Sequence, residues 1–395
     1  MNKNSLIIAL LVLLNFSAFA QNAVRKPMAQ LINDEFKFAI QQYKVLANNI
    51  PAGKTPQTYQ NGKPVNYDIK WWCSGFYSGS LWYMYEQSKD ESLKKQAEEA
   101  LKVIEPNQTY TGNHDLGFMM YCSFGNAYRI TGKPEYKTII QNSAKSLATR
   151  YRPSIKSIQS WNKSKYWDCP VIVDNMMNLE MLNWVSDNGG DPKYKAIAIN
   201  HSNTTLKNQF RPDFSSYHVV DYNLETGKVK RKATWQGAAD CSAWSRGQGW
   251  ALYGYTMMYR FTKNKTYLAQ AKGIANFILN HPNLPADKIP FWDFDAHGIP
   301  FTKRDASAGA IIASALLELA QYSENQEKTK FKTSAETMLY SLSSDAYRAK
   351  LGENGGFLLM HGTGAYPLNS EIDVPLIYGD YYYLEALARY KKWYL

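Results

Sequence analysis

Asp115 and Asp174 are the residues whose types and positions promise chemistry. Each opens a helical stretch that is apolar nearly all round. Leu116, Phe118, Met119 and Met120 follow Asp115; Met176, Met177, Leu179, Met181, Leu182, Trp184 and Val185 follow Asp174. Such a helix is buried on every side, and a carboxylate at its mouth is costly unless it has a partner or a task. Two carboxylates converging in an aromatic cup can divide acid/base work, one raised in pKa as general acid and the other ionised. Glycoside-processing enzymes use that arrangement. A plainer role is a helix N-terminal cap, which also favours a carboxylate, and it is the role expected of Asp305 and Asp380.

Other residues fit the same picture. Arg246 lies in Trp244-Ser-Arg-Gly-Gln-Gly-Trp250. It either grips a carboxylate or sulfate in bidentate fashion or caps and packs. His114 and His218 are candidates for binding sugar hydroxyls or assisting proton transfer. Of the 11 Trp, several fall in polar stretches, where their faces can stack on sugar rings; Trp82 and Trp184 read as core. The six His are scattered, and no pair of His or Cys has metal-ligand spacing, so no metal is expected. Neither a nucleophile elbow nor a phosphate loop occurs. The four Cys (73, 122, 169 and 241) are compatible with disulfides or with free thiols.

These residues need a scaffold. Five times a helix ends, a short polar turn follows and an amphipathic helix begins, as in Tyr128-Arg-Ile-Thr-Gly-Lys-Pro-Glu-Tyr136 and Tyr259-Arg-Phe-Thr-Lys-Asn-Lys-Thr-Tyr267. The helices after the turns carry a one-sided apolar stripe. Those before them, near 114–131, 174–187, 247–261 and 305–321, are apolar nearly all round. With an outer helix near 31–49 and an inner one near 378–392, the periodicity predicts about twelve helices in six hairpins. Repeated hairpins stack openly or close into a ring; six two-layered ones favour an all-α (α/α)6 barrel. Long loops precede the inner helices at 50–68, 151–170, 208–246, 280–304 and 346–377. Within the third, Tyr217–Tyr222 and Val229–Trp235 read as a β-hairpin. Closure gathers all these loops at one end, where function concentrates.

The chain start reads as an export signal: Lys3, an apolar run over 6–14 and Ala18-Phe-Ala20 before a cleavage point. The expected organisation is a signal peptide over 1–20 and one barrel domain over 21–395, exported to the periplasm or beyond. No stretch reads as a membrane span. The net charge of +11 is dispersed, which suits an acidic ligand and lacks any motif for nucleic acid.

Five motifs, in order along the chain, resemble glycoside hydrolase family 88, the unsaturated glucuronyl hydrolases. They are Asn113-His-Asp-Leu-Gly-Phe118, Asp174-Asn-Met-Met-Asn178, Ser216-Tyr-His218, Ser242-Ala-Trp-Ser-Arg-Gly-Gln-Gly-Trp250 and Gly379-Asp-Tyr-Tyr-Tyr-Leu-Glu-Ala386. The resemblance implies an (α/α)6 barrel without cofactor. It implies acidic oligosaccharide substrates, left by polysaccharide lyases, with a C4=C5 double bond in the terminal uronic acid. The reaction is then hydration of that enol ether. Asp174 becomes the general acid/base and Asp115 the second essential carboxylate. Trp72, Phe76, His114, Phe118, Trp161, His218, Gln236, Arg246 and Trp250 match sugar-binding positions, with Trp167 a rival to Trp161. Gly249 stands where the family often has alanine. Glycosaminoglycan disaccharides from chondroitin, hyaluronan or heparin are the expected substrates. Gly362–Ile377 and Lys228–Lys232 are candidates for contacting the second sugar. The alternatives are an unsaturated rhamnogalacturonyl hydrolase acting on pectin fragments and a non-catalytic oligosaccharide-binding barrel.

Overall fold

The computed structural model describes residues 25–395; the expected signal over 1–20 lies outside them. Twelve α-helices are found among the described residues, alternating between an outer and an inner layer. In chain order α1 (Met28–Ala47) precedes the hairpin β1 (Lys54–Gln60) and β2 (Lys63–Asp68); α2 (Phe76–Ser88) and α3 (Glu91–Ile104) follow. A π-helical stretch, Gly117–Gly125, leads into α4 (Asn126–Thr131), then α5 (Pro134–Ala148) and the short strands β3 (Tyr151–Arg152), β4 (Ser157–Ile158) and β5 (Pro170–Ile172). A 3-10 turn, Val173–Asn178, opens α6 (Leu179–Asp187), followed by α7 (Lys193–Asn208), β6 (Val219–Tyr222) and β7 (Val229–Ala233). The chain ends with α8 (Ser245–Thr262), α9 (Lys265–Asn280), α10 (Ala306–Gln321), α11 (Asn325–Leu342), β8 (Gly362–Ala365), β9 (Ser370–Val374) and α12 (Ile377–Tyr394).

The even-numbered helices are the inner ring. Helix α10 is buried along its length from Ala306 to Ala320, as a sequence apolar nearly all round requires. The outer α3 buries only Leu93, Ala97, Leu101 and Ile104, one stripe. The recurring turns share a mechanism. Lys89, Gly132 and Lys263 end inner helices in the left-handed conformation, the usual way to satisfy terminal carbonyls. Asp90 and Asn264 then cap the next helix through their side chains.

Contacts of α12 with α2 close the ring. Glu385 on α12 is its polar hub: it accepts from Tyr83 on α2 (3.1 Å), Tyr253 on α8 (3.0 Å) and Ser314 on α10 (2.6 Å). Arg260 bridges Glu180 and Glu318 nearby, both at 2.8 Å. The buried charges at this end are therefore paired, as they must be in a low-dielectric interior.

The other end carries the strands. The hairpin β6–β7 occurs as the sequence predicts, and β5 extends it into a three-stranded sheet. Three stretches expected as loops contain strands: 50–68 folds as β1–β2, 151–170 contains β3–β4 and 346–377 contains β8–β9. The first had a legible signal, Asn61-Gly62. Both residues have positive φ, 53° and 72°, the requirement of the tight turn that matches strand twist. None of the four Cys is in a disulfide, and no described helix is long and apolar enough to cross a membrane.

The candidate active site

A cavity of about 510 Å³ opens at the strand-bearing end, and Asp115 and Asp174 both line it. Asp174 is set by the sheet. Strand β5 pairs with β6, Ile172 opposite Val219, and the Val173 N–H donates to the His218 carbonyl at 3.0 Å. This register lays His218 beside Asp174, Nε2 to Oδ2 at 3.7 Å. His218 Nδ1 accepts from the backbone N–H groups of Trp235 (3.1 Å) and Gln236 (3.2 Å). Burial pushes its pKa down to about 3, helped by Arg246. The ring is therefore neutral, and its proton sits on Nε2, facing Asp174.

Asp115 is held from the other side. Asn178, one turn beyond Asp174, donates to Asp115 Oδ1 at 3.2 Å and accepts from the Phe118 N–H at 3.1 Å. Gly117 permits this closeness, since a Cβ there would stand 2.5 Å from Asn178 Cα. His114 Nε2 lies 3.2 Å from Asp115 Oδ1. Burial pushes His114 down to about 3. It pushes Asp115 up to about 8, with the Asp174 charge adding to the rise. At neutral pH the contact thus joins two uncharged groups.

Burial raises Asp174 to about 7, opposed by Arg246, by a backbone N–H and by the Trp250 indole. Its Oδ2 is buried without a hydrogen-bond partner among the described residues. The two carboxyls form a coupled pair that retains protons near neutrality, with one oxygen free for a ligand.

Of the other expected residues, Trp72, His114, Phe118, Trp161, Gln236 and Arg246 line the cavity. Trp167 packs behind Trp161, ring centroids 6.1 Å apart. Phe76 and Trp250 lie beneath the floor, fully buried, and prop up Phe118 at 5.6 and 5.0 Å. Arg246 is already engaged. It donates to Asp305 Oδ2 (2.7 Å), the Thr363 carbonyl (2.5 Å) and the Gly364 carbonyl, and lies 4.4 Å from the centre of the Trp244 ring. The packing alternative thus describes its contacts. Asp305 caps α10 as expected. Asp380 does not cap α12; it accepts from the Leu358 and Leu359 N–H groups and so ties the preceding loop to the ring. Lys230, Arg231 and Lys232 do not line the cavity: they lie against Asp168, Trp167 and Tyr217.

Lys70, Tyr110 and Trp235 line the cavity without having been singled out, and Ala365, Leu368, Ser370 and Glu371 line it from the stretch Gly362–Ile377 named as a second-sugar candidate. Trp235 had a usable signal, an aromatic beside Gln236 at the end of a predicted strand. Among the described residues no group of three or more His, Cys, Asp or Glu is arranged to hold a metal.

The model of Glycosyl Hydrolase Family 88 matches residues 46–394. An unsaturated glucuronyl hydrolase of Formosa agariphila is 44% identical over 96% of this chain and 95% of its own. An unsaturated chondroitin disaccharide hydrolase of Streptococcus agalactiae is 35% identical over 86% of each. The crystal structure of an unsaturated glucuronyl hydrolase specific for heparin superposes with a TM-score of 0.89 at 45% identity, covering 92% of this chain and 97% of that one. The ring of hairpins is accordingly the α/α barrel of those enzymes. The chain belongs to glycosyl hydrolase family 88, the family of these unsaturated glucuronyl hydrolases, and is a glycosidase.

Proposed function

We propose that this enzyme releases the 4,5-unsaturated uronic acid from the non-reducing end of glycosaminoglycan disaccharides left by lyases, by hydrating the C4=C5 enol ether. The observation that carries the reading is the coupled pair Asp115 and Asp174, buried in an aromatic cavity and raised to about 8 and 7. Protonating a carbon needs an acid still undissociated at the working pH. Asp174 gives its proton to C4 and takes one from the water that adds at C5. The resulting hemiketal opens and expels the second sugar, leaving a 5-keto product. Asp115, neutral and fixed by Asn178, binds sugar hydroxyls and keeps its charge away from Asp174. His218 Nε2–H steadies the carboxylate that Asp174 becomes between the two proton transfers. Trp72 and Phe118 form the floor under the ring, and Trp161 and Gln236 a wall.

The names of the relatives support the substrate class, covering chondroitin and heparin. The test is optical, because the conjugated bond absorbs ultraviolet light. Disaccharides from heparin, chondroitin and hyaluronan lyases should lose that absorbance on incubation with the purified enzyme. Unchanged absorbance on all three would overturn the proposal, and loss on pectin-lyase products alone would move the enzyme to rhamnogalacturonides. We also place the enzyme outside the cytoplasm, supported by the Lys3 to Ala20 pattern. N-terminal sequencing of the chain from an expressing bacterium should then begin near Gln21; a chain beginning at Met1 would refute export.

A further inference from the structure

Arg150 is a buried cation that the proposed chemistry does not use. It stands just past the end of α5, is 5% exposed and does not line the cavity. Arg246, also buried, has Asp305 as its counter-charge. Arg150 instead aims its guanidinium at neutral oxygens. It donates to the carbonyls of Gln159 (3.0 Å), Thr111 (3.1 Å) and Ser160 (2.8 Å) and to the side-chain oxygen of Asn162 (3.1 Å). An ion kept in a low-dielectric interior on neutral partners is costly, and an apolar side chain would fill the space without that cost.

The oxygens it holds belong to two loops of the site. Thr111 leads into His114 and Asp115, and Ser160 and Asn162 flank Trp161. The loops meet at His114, whose ring hydrogen-bonds the Ser160 carbonyl, the same oxygen that accepts from Arg150. His114 Nε2 faces Asp115 Oδ1 at 3.2 Å, so Nδ1 is the nitrogen that reaches Ser160. A carbonyl only accepts. Nδ1 therefore carries the proton, the tautomer opposite to that of His218, and Nε2 turns a lone pair toward the Asp115 carboxyl. The titratable and charged groups facing His114 are Asp115 from its own segment, Arg150 from the end of α5 and His201 from α7. Burial keeps His201 neutral, and its Nδ1 accepts from the Ile158 N–H at 3.0 Å. Arg150 is thus the standing charge beside the His114–Asp115 pair. It shares an oxygen with the ring, so it opposes an imidazolium there more strongly than it favours an Asp115 carboxylate.

We propose, resting on the function above, that Arg150 is a positioning residue: it fixes the tautomer of His114 and keeps that ring uncharged, so that Asp115 retains its proton beside Asp174. Without Arg150 the proton on Asp115 Oδ1 is free to pass to His114 Nε2. The pair then becomes an imidazolium and a carboxylate. A charged Asp115 opposes the return of Asp174 to its own carboxylate, the form that takes a proton from water, and it can no longer donate to a sugar hydroxyl.

The experiment records nitrogen-15 spectra of the full enzyme with labelled histidines, as wild type, Arg150→Gln and Arg150→Lys. The signal lost in His114→Gln assigns the ring. Wild-type His114 should stay neutral, with its proton on Nδ1, between about pH 5 and pH 8. Arg150→Gln should let the ring titrate or mix tautomers over that range and lower kcat roughly 10- to 100-fold, the scale of a misplaced catalytic group. Arg150→Lys keeps the charge, so it should hold the ring neutral and recover part of kcat. A role confined to tying the loops would lower Tm in both variants and leave the His114 signals as in the wild type; that result overturns the proposal. If Arg150→Gln does not fold, the other two proteins decide. A wild-type proton on Nε2, or a ring that titrates above about pH 5 in the wild type or in Arg150→Lys, overturns it as well. The spectra need no turnover, so a wild type inactive on every disaccharide would overturn the hydrolase reading while they still test Arg150.

Discussion

Replacing Arg246 with methionine separates a structural guanidinium from a ligand-binding one. Arg246 is 2% exposed. It donates to Asp305 at 2.7 Å and to the carbonyls of Thr363 and Gly364 on β8, so it joins the start of α8 to the start of α10 and to the rim hairpin. Methionine keeps some of the contact with Trp244 but leaves a buried carboxylate without its counter-charge. Removing one partner of a buried ion pair costs about 3–5 kcal/mol. Asp305 keeps its Oδ1 bonds to the Ser307 and Ala308 N–H groups, which places the variant near ~3 kcal/mol. At roughly 2.1 cal/mol/K of unfolding entropy per residue, a chain of 395 residues loses about 4 °C in Tm. Urea titration and calorimetry give the two readings. Adding Asp305→Asn should restore part of the loss, because the uncompensated charge is gone while the cap remains. If Arg246→Met left Tm and the urea midpoint unchanged and raised only KM, the guanidinium would be a ligand group and the strut argument would be wrong.

Asp174→Asn should lower kcat by about 10²–10⁴-fold, the range for losing a positioned acid/base, while calorimetry still detects disaccharide binding; near-normal turnover would remove Asp174 from the proton transfers. Trp161→Ala should raise KM roughly 10-fold, on the scale of one lost aromatic contact, with little change in Tm. Stability should depend on pH in a signed way. Asp115, Asp174 and Asp380 have folded pKa values raised to about 8, 7 and 7. Above the unfolded value near 3.9 the folded chain therefore binds more protons, and these groups erode stability as pH rises toward 8. His114, His201 and His218 are lowered to about 3, so stability also falls as pH drops below the unfolded histidine value near 6.5. Tm should peak in mildly acid buffer, and Asp115→Asn should raise Tm at pH 8 more than at pH 5. Equal effects at the two pH values would contradict the raised pKa of Asp115.

What could be read from the sequence alone was whatever one period encodes. All-round apolar helices such as 305–321 declared themselves interior, one-sided stripes such as Leu93 to Ile104 declared themselves outer, and alternation between the two yields a closed ring with Asp115 and Asp174 at the same end. Position within an element carried further. Asp305 at a helix start capped it, because the backbone geometry there rewards a carboxylate whatever else the fold does. Asp380 shows the limit of that logic. It sits equally well for capping, yet two N–H groups of a loop more than twenty residues upstream reach it instead, and nothing local reports their presence.

The same limit explains the sugar-binding set. Residue type and motif bring Trp72, Phe118, Trp161 and His114 to the cavity, but which faces reach the lumen depends on pairings between distant segments. His218 and Asp174 are 44 positions apart, and their contact is fixed by the β5–β6 register and by the two N–H groups that lock the imidazole tautomer. A one-residue slip in that ladder would turn His218 to the opposite face of the sheet. The contact between His218 and Asp174, the proposed acid/base, therefore depends on a short ladder at the barrel mouth. A change that loosens β5 should thus damage catalysis before it damages the fold. Gln209, which donates to the carbonyls of Val171 and His218 at 3.1 and 3.2 Å, is the place to test that. Gln209→Leu should cost about 1 kcal/mol for the lost hydrogen bonds, since the His218 carbonyl keeps the Val173 N–H. It should also shift the pH profile of kcat toward the profile of a His218 variant. A loss of stability with the wild-type pH profile retained would show that the helices, rather than the ladder, hold Asp174 and His218 together.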